Sequence, residues 1–224
     1  MIKDVEYYFS GQKISLPGYL WKLGDKGIKE EEIIAAFPGR FMPYHFGHYE
    51  THKRIAASYD RMHIGIVNPD PWDTKLTGER FTLDKNFLTY AERIEMIGTA
   101  CDEIRRKLPE SAKFTMGPYY PKRWYGEEVY SRFNPGNKDT FLQHLAVRDD
   151  FDRDKVQRLI KSQRNFAIVP LVRDGERIYS ATLIRKLMLE GEEWRELVPS
   201  FTESVIDKHH IVERLRDLNR DISG

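Results

Sequence analysis

The 224-residue sequence has a single cysteine, no long apolar run and almost no net charge. Cys101 alone cannot form an internal disulfide framework, which is typical of proteins from a reducing cytosol. No segment approaches the roughly 20 apolar residues that span a bilayer, and the first residues lack the apolar core of a signal peptide. Lys and Arg number 36 against 35 Asp and Glu, so no overall field attracts nucleic acid or an anionic membrane. We therefore expect a cytoplasmic protein with neither kind of partner.

The remaining composition is that of an ordinary globular chain, with 40% hydrophobic and 32% charged residues. Its length suffices for one good core with a small appendage. We predict a domain over residues 32–224 and an N-terminal extension over residues 1–31, which match no pattern that we recognise. The extension is too aromatic for a disordered tail, so we expect it to pack on the domain or on a second subunit, with turns at Ser10–Gly11 and Pro17–Gly18.

The most informative stretch covers residues 37–48 and has the sequence Phe-Pro-Gly-Arg-Phe-Met-Pro-Tyr-His-Phe-Gly-His. An apolar run, Ile33 to Phe37, precedes it and is typical of a central parallel strand buried on both faces. A helical pattern follows over residues 49–59, so the stretch lies on a strand-to-helix turn. In a parallel sheet such a turn presents a helix N-terminus to anions.

The residue types in this turn suit a polyphosphate. Gly39 and Gly47 permit tight turning or close approach to a ligand, and Arg40, His45 and His48 add hydrogen-bond donors. The two histidines are three residues apart, so at a helix N-terminus both imidazoles can face one site. Taken alone, the motif is equally compatible with a loop that carries two surface histidines.

The pattern of strands and helices predicts an α/β protein with a parallel sheet. A second strand over residues 63–67 completes a βαβ unit, and a polar loop that begins at Asn68 follows at the edge where ligands bind. Thr89 and Glu92 have capping-box spacing ahead of a long helix that carries Cys101 on its apolar stripe. Further strands are predicted at residues 113–116, 142–147 and 166–172, with helices after Asp152, after Ser180 or Thr182, and over residues 202–218.

A second motif follows the last predicted strand, Tyr179-Ser180-Ala181-Thr182-Leu183-Ile184-Arg185. Together with Gly-Arg-Phe-x-Pro-x-His-x-Gly-His, it resembles the signature pair of the HxGH nucleotidylyltransferase superfamily. The resemblance is closest to archaeal-type nicotinamide-nucleotide adenylyltransferases and includes the tail segments 194–199 and 211–216. It implies a Rossmann-like, doubly wound parallel sheet with C-terminal helices.

The resemblance also implies roles for individual residues. His45 and His48 are expected to hold the α- and β-phosphates and to stabilise the transition state, and Arg185 to bind β,γ-phosphate oxygens. Mg²⁺ is expected to bridge the phosphates while keeping most of its waters, so no protein ligand is named. The expected nucleotide-binding residues are Phe37, Gly39, Arg40, Phe41, Gly47, Lys85, Ser180 and Thr182.

The acceptor side is less regular. Trp124 is the candidate for stacking on the acceptor ring, although a plain core or lid aromatic fits equally, and Asn68 is a second candidate contact. Lys85 lies in a loop that lacks the family's proline, and a solvated lysine is the alternative there. Arg148-Asp149-Asp150 replaces the family's usual Ser/Thr-Gly-Asn loop on the adenine side.

These features predict transfer of AMP from ATP to nicotinamide mononucleotide, with release of pyrophosphate and formation of NAD. The alternatives are transfer of AMP or CMP to another small phosphate or phosphonate, and a nucleotide-binding protein without turnover. The family's habit of assembling and the aromatic N-terminal extension predict a homo-oligomer. The other histidines are expected to be structural: His52 on a helix face, His63 and His144 in strands, and His209–His210 without a third metal ligand.

Overall fold

The computed structural model describes residues 4–70, 86–133, 139–175 and 177–223. The strands are β1 (Glu6–Phe9), β2 (Gln12–Ile14), β3 (Ile34–Gly39), β4 (Arg61–Val67), β5 (Lys113–Tyr119), β6 (Phe141–Ala146), β7 (Phe166–Val169), β8 (Arg173–Asp174) and β9 (Arg177–Ile178). The helices are α1 (Leu16–Asp25), α2 (Phe46–Ala56), α3 (Tyr90–Lys107), α4 (Lys122–Phe133), α5 (Asp150–Lys161), α6 (Ala181–Glu190), α7 (Ser200–Lys208) and α8 (Ile211–Ser223).

Within the described residues, the main sheet has seven strands in the order β2-β1-β7-β6-β3-β4-β5. Strands β3 to β7 pair in parallel, as the βαβ pattern predicts. The chain leaves β3 towards β4 on one side, whereas β6 lies on the other side of β3, so the strand order reverses between β3 and β6. Ligands of open α/β sheets bind at such a switch point, outside the carboxyl ends of the strands. The predicted Rossmann-like fold is confirmed.

Helices cover both faces of the sheet because side chains alternate along each strand. Ala35, Phe37 and Ile64 point into the largest apolar cluster, which α2, α3 and the C-terminal helices α6 to α8 complete. On the opposite face, Ile34 and Ala36 pack with residues of α4, and Leu145 packs with residues of α5. Strand β3 is therefore buried on both sides, which explains its uninterrupted apolar sequence.

The N-terminal extension is part of the main sheet. Strand β1 pairs antiparallel with β7, and β2 pairs antiparallel with β1, so the sheet is mixed at this edge and not wholly parallel as expected. The aromatic side chains of Tyr7, Phe9 and Tyr19 form a buried cluster with Leu142 and Ala167 of the parallel strands. Packing on the domain is thus observed for the described part of the extension.

Three local expectations were wrong. Pro17 and Gly18 lie in the first turn of α1, not in a turn between elements, because a proline near a helix start forfeits no intrahelical hydrogen bond. The strand expected over residues 166–172 ends at Val169, and the short hairpin β8–β9 follows it. Helix α2 begins at Phe46, so Gly47 and His48 belong to its first turn and His45 is its N-cap residue.

No helix among the described residues is both long enough and apolar enough to cross a membrane.

Candidate active site

A cavity of about 430 Å³ lies at the switch point between β3 and β6. Its size is that of a typical small-molecule site. Its walls are formed by the ends of β3 and β6, the first turn of α2, the first turns of α5 and the start of α6. The predicted site residues that line it are Phe37, Gly39, Arg40, Phe41, His45, Gly47, His48, Ser180, Thr182 and Arg185.

His45 and His48 form the floor of the cavity. Their rings stack with centroids 3.7 Å apart and an interplanar angle of 23°. The backbone N–H of His45 donates to Nδ1 of His48 at 3.3 Å, so His48 at position N3 does what a glutamate does in a capping box. A neutral His48 must then carry its proton on Nε2. Within the described residues, neither ring nitrogen of His45 has a hydrogen-bond partner.

Burial favours the neutral form of both imidazoles. Desolvation, reinforced by the positive charge of Arg148, lowers the pKa of His45 to about 3. Desolvation, followed by the repulsion of His45, holds the pKa of His48 well below its usual value. A bound polyphosphate would oppose this effect, because a nearby negative charge favours the charged form of an imidazole.

Gly47 is where the two sequence motifs touch. A Cβ atom at this position would lie 2.9 Å from Cβ of Tyr179 and 3.0 Å from Cε1 and Nδ1 of His45. Only glycine lets the first turn of α2 lie this close to the segment that precedes α6. At Gly39, similarly, a Cβ atom would lie 2.7 Å from the ring of Phe41. Both glycines are therefore explained by close packing around the cavity.

Arg185 joins the second motif to the first. Its Nη1 donates to the carbonyl oxygen of Met42 at 2.8 Å, and its Nη2 donates to Oγ1 of Thr182 at 3.2 Å. The side chain is 7% exposed, yet it lines the cavity. The guanidinium is thereby fixed in the cavity that the two histidines also line, which is the arrangement that the paired motifs predict.

The N-terminus of α6 also opens on the cavity. Ser180 is the N-cap residue, but in the described part of the chain its hydroxyl makes no capping hydrogen bond. The first N–H groups of a helix have no intrahelical acceptor and favour anions. Two helix N-termini, those of α2 and α6, therefore face one space. Each of them directs positive partial charge towards a polyanion bound there.

Three predicted contacts are not among the described residues that line this cavity. Lys85 lies outside the described residues. Trp124 is in the first turn of α4, and its side chain is likewise outside the described part. Asn68 is 1% exposed at the end of β4, where its carbonyl oxygen accepts a hydrogen bond from Arg93. Substrate contact by these three residues stays a prediction.

The sequence indicated Arg148-Asp149-Asp150 only as a departure from the family's loop, and it did not indicate the charged wall that this segment forms with α5. Arg148, Asp152 and Lys155 all line the cavity, and Nε of Arg148 lies 3.4 Å from Oδ2 of Asp152. Desolvation lowers the pKa of the partly buried Lys155 to about 8. Asp152 and Lys155 are three residues apart on α5 and share a helix face, but nothing in the sequence shows that this face lines the cavity.

The cavity offers little to a metal ion by itself. Among the described residues, no group of three or more His, Cys, Asp or Glu side chains could hold one. The carboxylates in its wall are engaged: Asp149 caps α5 by accepting from the backbone N–H of Asp152 at 3.0 Å, and Asp152 accepts from Arg148. A divalent ion would fit this cavity best if phosphate oxygens of a bound nucleotide held it, which is how Mg²⁺ is commonly bound.

The remaining histidines have structural surroundings. His52 is fully buried beneath the site, where its Nδ1 lies 3.0 Å from the hydroxyl of Tyr44. Nδ1 of His63 lies 3.0 Å from the hydroxyl of Thr115, and His209 pairs with Glu95 at 3.0 Å. His144 differs in that it is buried in β6 but also borders the cavity. Cys101 is buried in the core, and burial raises the pKa of its thiol to about 12, so it is no nucleophile.

Comparison with solved structures supports the fold. The chain superposes on a bifunctional NMN adenylyltransferase/ADP ribose pyrophosphatase from Francisella tularensis with a TM-score of 0.55 and 17% identity. That match covers 85% of this chain and 54% of the other, so only about half of the bifunctional protein is represented.

Comparison with curated proteins extends over most of the chain. The nicotinamide-nucleotide adenylyltransferase of Archaeoglobus fulgidus is 31% identical over 191 residues, covering 83% of this chain and 97% of that protein. The phosphonoformate cytidylyltransferase of Streptomyces viridochromogenes is 28% identical over 182 residues, covering 80% and 92%. The cytidylyltransferase-like family model matches residues 36–187, which include both motifs. The chain therefore belongs to the cytidylyltransferase-like family, and the nucleotidylyltransferase resemblance carried by its two motifs is confirmed.

Proposed function

We propose that this protein transfers AMP from ATP to the 5′-phosphate of nicotinamide mononucleotide, releasing pyrophosphate and forming NAD. The observation that carries the proposal is the convergence of His45, His48 and Arg185 on one cavity between two helix N-termini. The choice of reaction is supported by relatives that are named for it and matched over nearly their whole length, among them the proteins of Archaeoglobus fulgidus and Methanothrix thermoacetophila.

The chemistry needs positioning and positive charge more than it needs a reactive side chain. An oxygen of the acceptor phosphate attacks the α-phosphorus of the triphosphate, and the bond from that phosphorus to the bridging oxygen of pyrophosphate breaks. The leaving group carries away the electron pair of that bond. Both reactants are anions, so the enzyme must hold them together and offset the charge that builds on the phosphate oxygens.

The two histidines suit this task. His48 presents Nε2–H as a donor because its Nδ1 already accepts from the chain. His45 lies against it with both ring nitrogens buried and without partners among the described residues. A polyphosphate supplies acceptors for these donors, and its negative charge raises the pKa of each ring from the depressed resting value. We propose that the α- and β-phosphates lie over this pair.

The rest of the triphosphate would lie against Arg185 and the start of α6. Arg185 is held against Met42 and Thr182, from where a rigid guanidinium suits β,γ-phosphate oxygens. We propose that Arg40, Ser180 and the N–H groups that begin α6 complete this cradle, with Lys85 as a further contact. Mg²⁺, when bound to the phosphates, supplies additional charge neutralisation, and we propose no protein ligand for it.

A second candidate reaction is CMP or AMP transfer to a different small phosphate or phosphonate. It is favoured by the similarity to a protein named phosphonoformate cytidylyltransferase. It is also favoured by the α5 wall, where Arg148, Asp152 and Lys155 place charges on the side where the family usually has a Ser/Thr-Gly-Asn loop. These charges can alter which base or which acceptor fits.

The test is pyrophosphate release from ATP or CTP with nicotinamide mononucleotide, phosphonoformate or other phosphate monoesters as acceptors. We expect turnover with ATP and nicotinamide mononucleotide and a loss of more than about tenfold, roughly 1.4 kcal/mol in the barrier, for His48→Ala. Turnover only with CTP or only with another acceptor would support the second candidate. Nucleotide binding without turnover on any pair would indicate a protein that has kept the cradle but not the reaction.

Four further points belong to the proposal: a requirement for Mg²⁺, stacking of Trp124 on the acceptor ring, a cytoplasmic location and a homo-oligomeric state. The last is supported by the exposed indole of Trp21, which is 67% accessible on the N-terminal extension. Light scattering of the parent protein and of Trp21→Ser would test it.

A further inference from the structure

Arg93 is a completely buried cation in the first turn of α3. Its guanidinium donates five hydrogen bonds, and every acceptor is a backbone carbonyl oxygen. Nε donates to Thr89 at 3.3 Å, Nη1 to Arg40 at 3.2 Å and to Val67 at 2.9 Å, and Nη2 to Asn68 at 2.6 Å and to Pro69 at 3.3 Å. Desolvation lowers its pKa to about 10, so the group stays charged at neutral pH.

These carbonyls belong to the segments that leave the sheet at its ligand-binding edge. Arg40 follows β3 and lines the cavity, whereas Asn68 and Pro69 follow β4. Arg93 therefore ties two neighbouring strand ends to the start of α3. No single backbone element could do this, because the three segments are separate in the chain.

Both tied segments contain a non-glycine residue in the left-handed region. Phe41, directly after the Arg40 carbonyl, has φ 55°, and Asn68 has φ 53°. Such conformations cost free energy and persist where the surroundings enforce them. Hydrogen bonds from one rigid guanidinium to carbonyls at both turns are a means of enforcing them.

Stability alone does not explain a charge at this place. Burying a cation costs desolvation free energy, and an apolar side chain of similar volume in its place often leaves the protein equally stable. The adjacent carboxylate does not account for the charge either, since Glu92 accepts from Arg214 at 2.7 Å and from the backbone N–H of Thr89 at 2.8 Å. What Arg93 provides, and an apolar residue cannot, is a fixed geometry for the carbonyl groups of the two turns.

We propose that Arg93 is a positioning residue for nucleotidyl transfer, which holds the turns after β3 and β4 so that the side chain of Arg40 reaches the triphosphate. The role rests on the proposed function, because it acts through a residue that we place at the nucleotide.

The first experiment compares Arg93→Lys with Arg214→Met. Lysine keeps the charge but has only three donors on one atom, so it cannot reproduce the five bonds. Arg214→Met removes the ion pair of the neighbouring Glu92 without touching either turn, and serves as the control for a loss of stability alone. We expect Arg93→Lys to raise the KM for ATP at least about tenfold, and Arg214→Met to leave kcat and KM within about twofold, at a temperature where both remain folded.

The second experiment is a double-mutant cycle with Arg40→Ala. If Arg93 acts through Arg40, the double variant Arg40→Ala/Arg93→Lys has nearly the same KM for ATP as the more impaired single variant. If the two effects multiply, Arg93 acts by another route and the proposal is overturned. It is also overturned if Arg93→Lys, like Arg214→Met, keeps kcat and KM within about twofold of the parent at a temperature where it remains folded.

Titration calorimetry with ATP, applied to the parent, Arg40→Ala, Arg93→Lys and the double variant, separates this proposal from the proposed function. Should the parent bind ATP but transfer no nucleotide, the proposed function fails, while the cycle in Kd still tests whether Arg93 positions Arg40. Additive effects on Kd, or an Arg93→Lys variant that binds ATP as the parent does, would refute the positioning role. A parent that binds no nucleotide would refute both.

Discussion

Replacing Gly47 by alanine tests whether the contact between the two motifs sets the position of the imidazoles of His45 and His48. The added methyl carbon would meet Cβ of Tyr179 at 2.9 Å and two atoms of the His45 ring at 3.0 Å, whereas ordinary contacts begin at 3.4 Å. Cβ of Tyr179 is tied to the backbone and cannot swing away. The ring of His45 must therefore turn, and it would do so against the stacked ring of His48.

The expected magnitudes differ for stability and for activity. Alanine in a helix gains about 0.5–1 kcal/mol over glycine, and overpacking costs about 1–3 kcal/mol, so the net destabilisation is roughly 1 kcal/mol. In a chain of this size that lowers Tm by about 2–4 °C. A displacement approaching 1 Å at the reacting groups can cost about 100-fold in rate. We therefore expect kcat for Gly47→Ala to fall about 10- to 100-fold in a protein that remains folded.

Gly98→Ala provides a matched control. This glycine is also helical, in α3, but its added methyl would meet nothing closer than Cε of Met116 at 3.8 Å. We expect full activity and a stability gain of about 0.5–1 kcal/mol. The assay is initial-rate pyrophosphate release together with thermal unfolding of both variants. If Gly47→Ala is as active as Gly98→Ala, then the close approach does not position His45 and this reasoning fails.

Three further predictions concern single groups of the site and the core. Arg185→Lys should lower kcat/KM by about 100-fold, measured by pyrophosphate release, because one ammonium cannot bind both Met42 and Thr182 while it also faces the phosphates. Burial holds the pKa of His52 at about 3 and that of His144 at about 4, below 6.5 in the unfolded chain, so stability is lost as pH falls from 6.5 towards 4. Between pH 7 and pH 5, we expect each histidine to reduce the free energy of unfolding by roughly 2 kcal/mol. Equal urea midpoints at pH 7 and pH 5 would contradict this. Desolvation lowers the pKa of Lys155 to about 8, so its side chain is charged below pH 8 and neutral above it. ATP affinity, measured by calorimetry, should fall from pH 7 to pH 9, and Lys155→Met should reduce that fall.

The parts of the fold that local sequence determines were predictable. A continuous apolar run such as β3 has few alternatives once a helix and a second strand follow it, because a βαβ unit forces a parallel pair. The helix start at Thr89 was equally readable, since its hydroxyl and the carboxylate of Glu92 form the expected capping box. These predictions needed only neighbours in the chain.

The parts that depend on tertiary contacts were not predictable. Nothing local indicates that β1 pairs with β7, because their partners lie more than a hundred residues apart. Arg93 reads as one more charge in the first turn of a helix until its five carbonyl acceptors are known. Lys155 likewise reads as a solvated lysine on a polar helix. Its role emerges only once the N-terminal turns of α5 are seen to line the cavity.

The protonation state of the two histidines could not be predicted from the sequence either. The spacing of His45 and His48 indicated that two rings share a site, but their charge depends on burial, which no motif encodes. Two neutral rings can stack at 3.7 Å without repulsion, whereas two imidazolium ions could not do so at low cost. The resting arrangement is therefore itself a consequence of desolvation. We therefore expect a polyanion that enters the cavity to raise the pKa of both rings, so that its binding is accompanied by proton uptake.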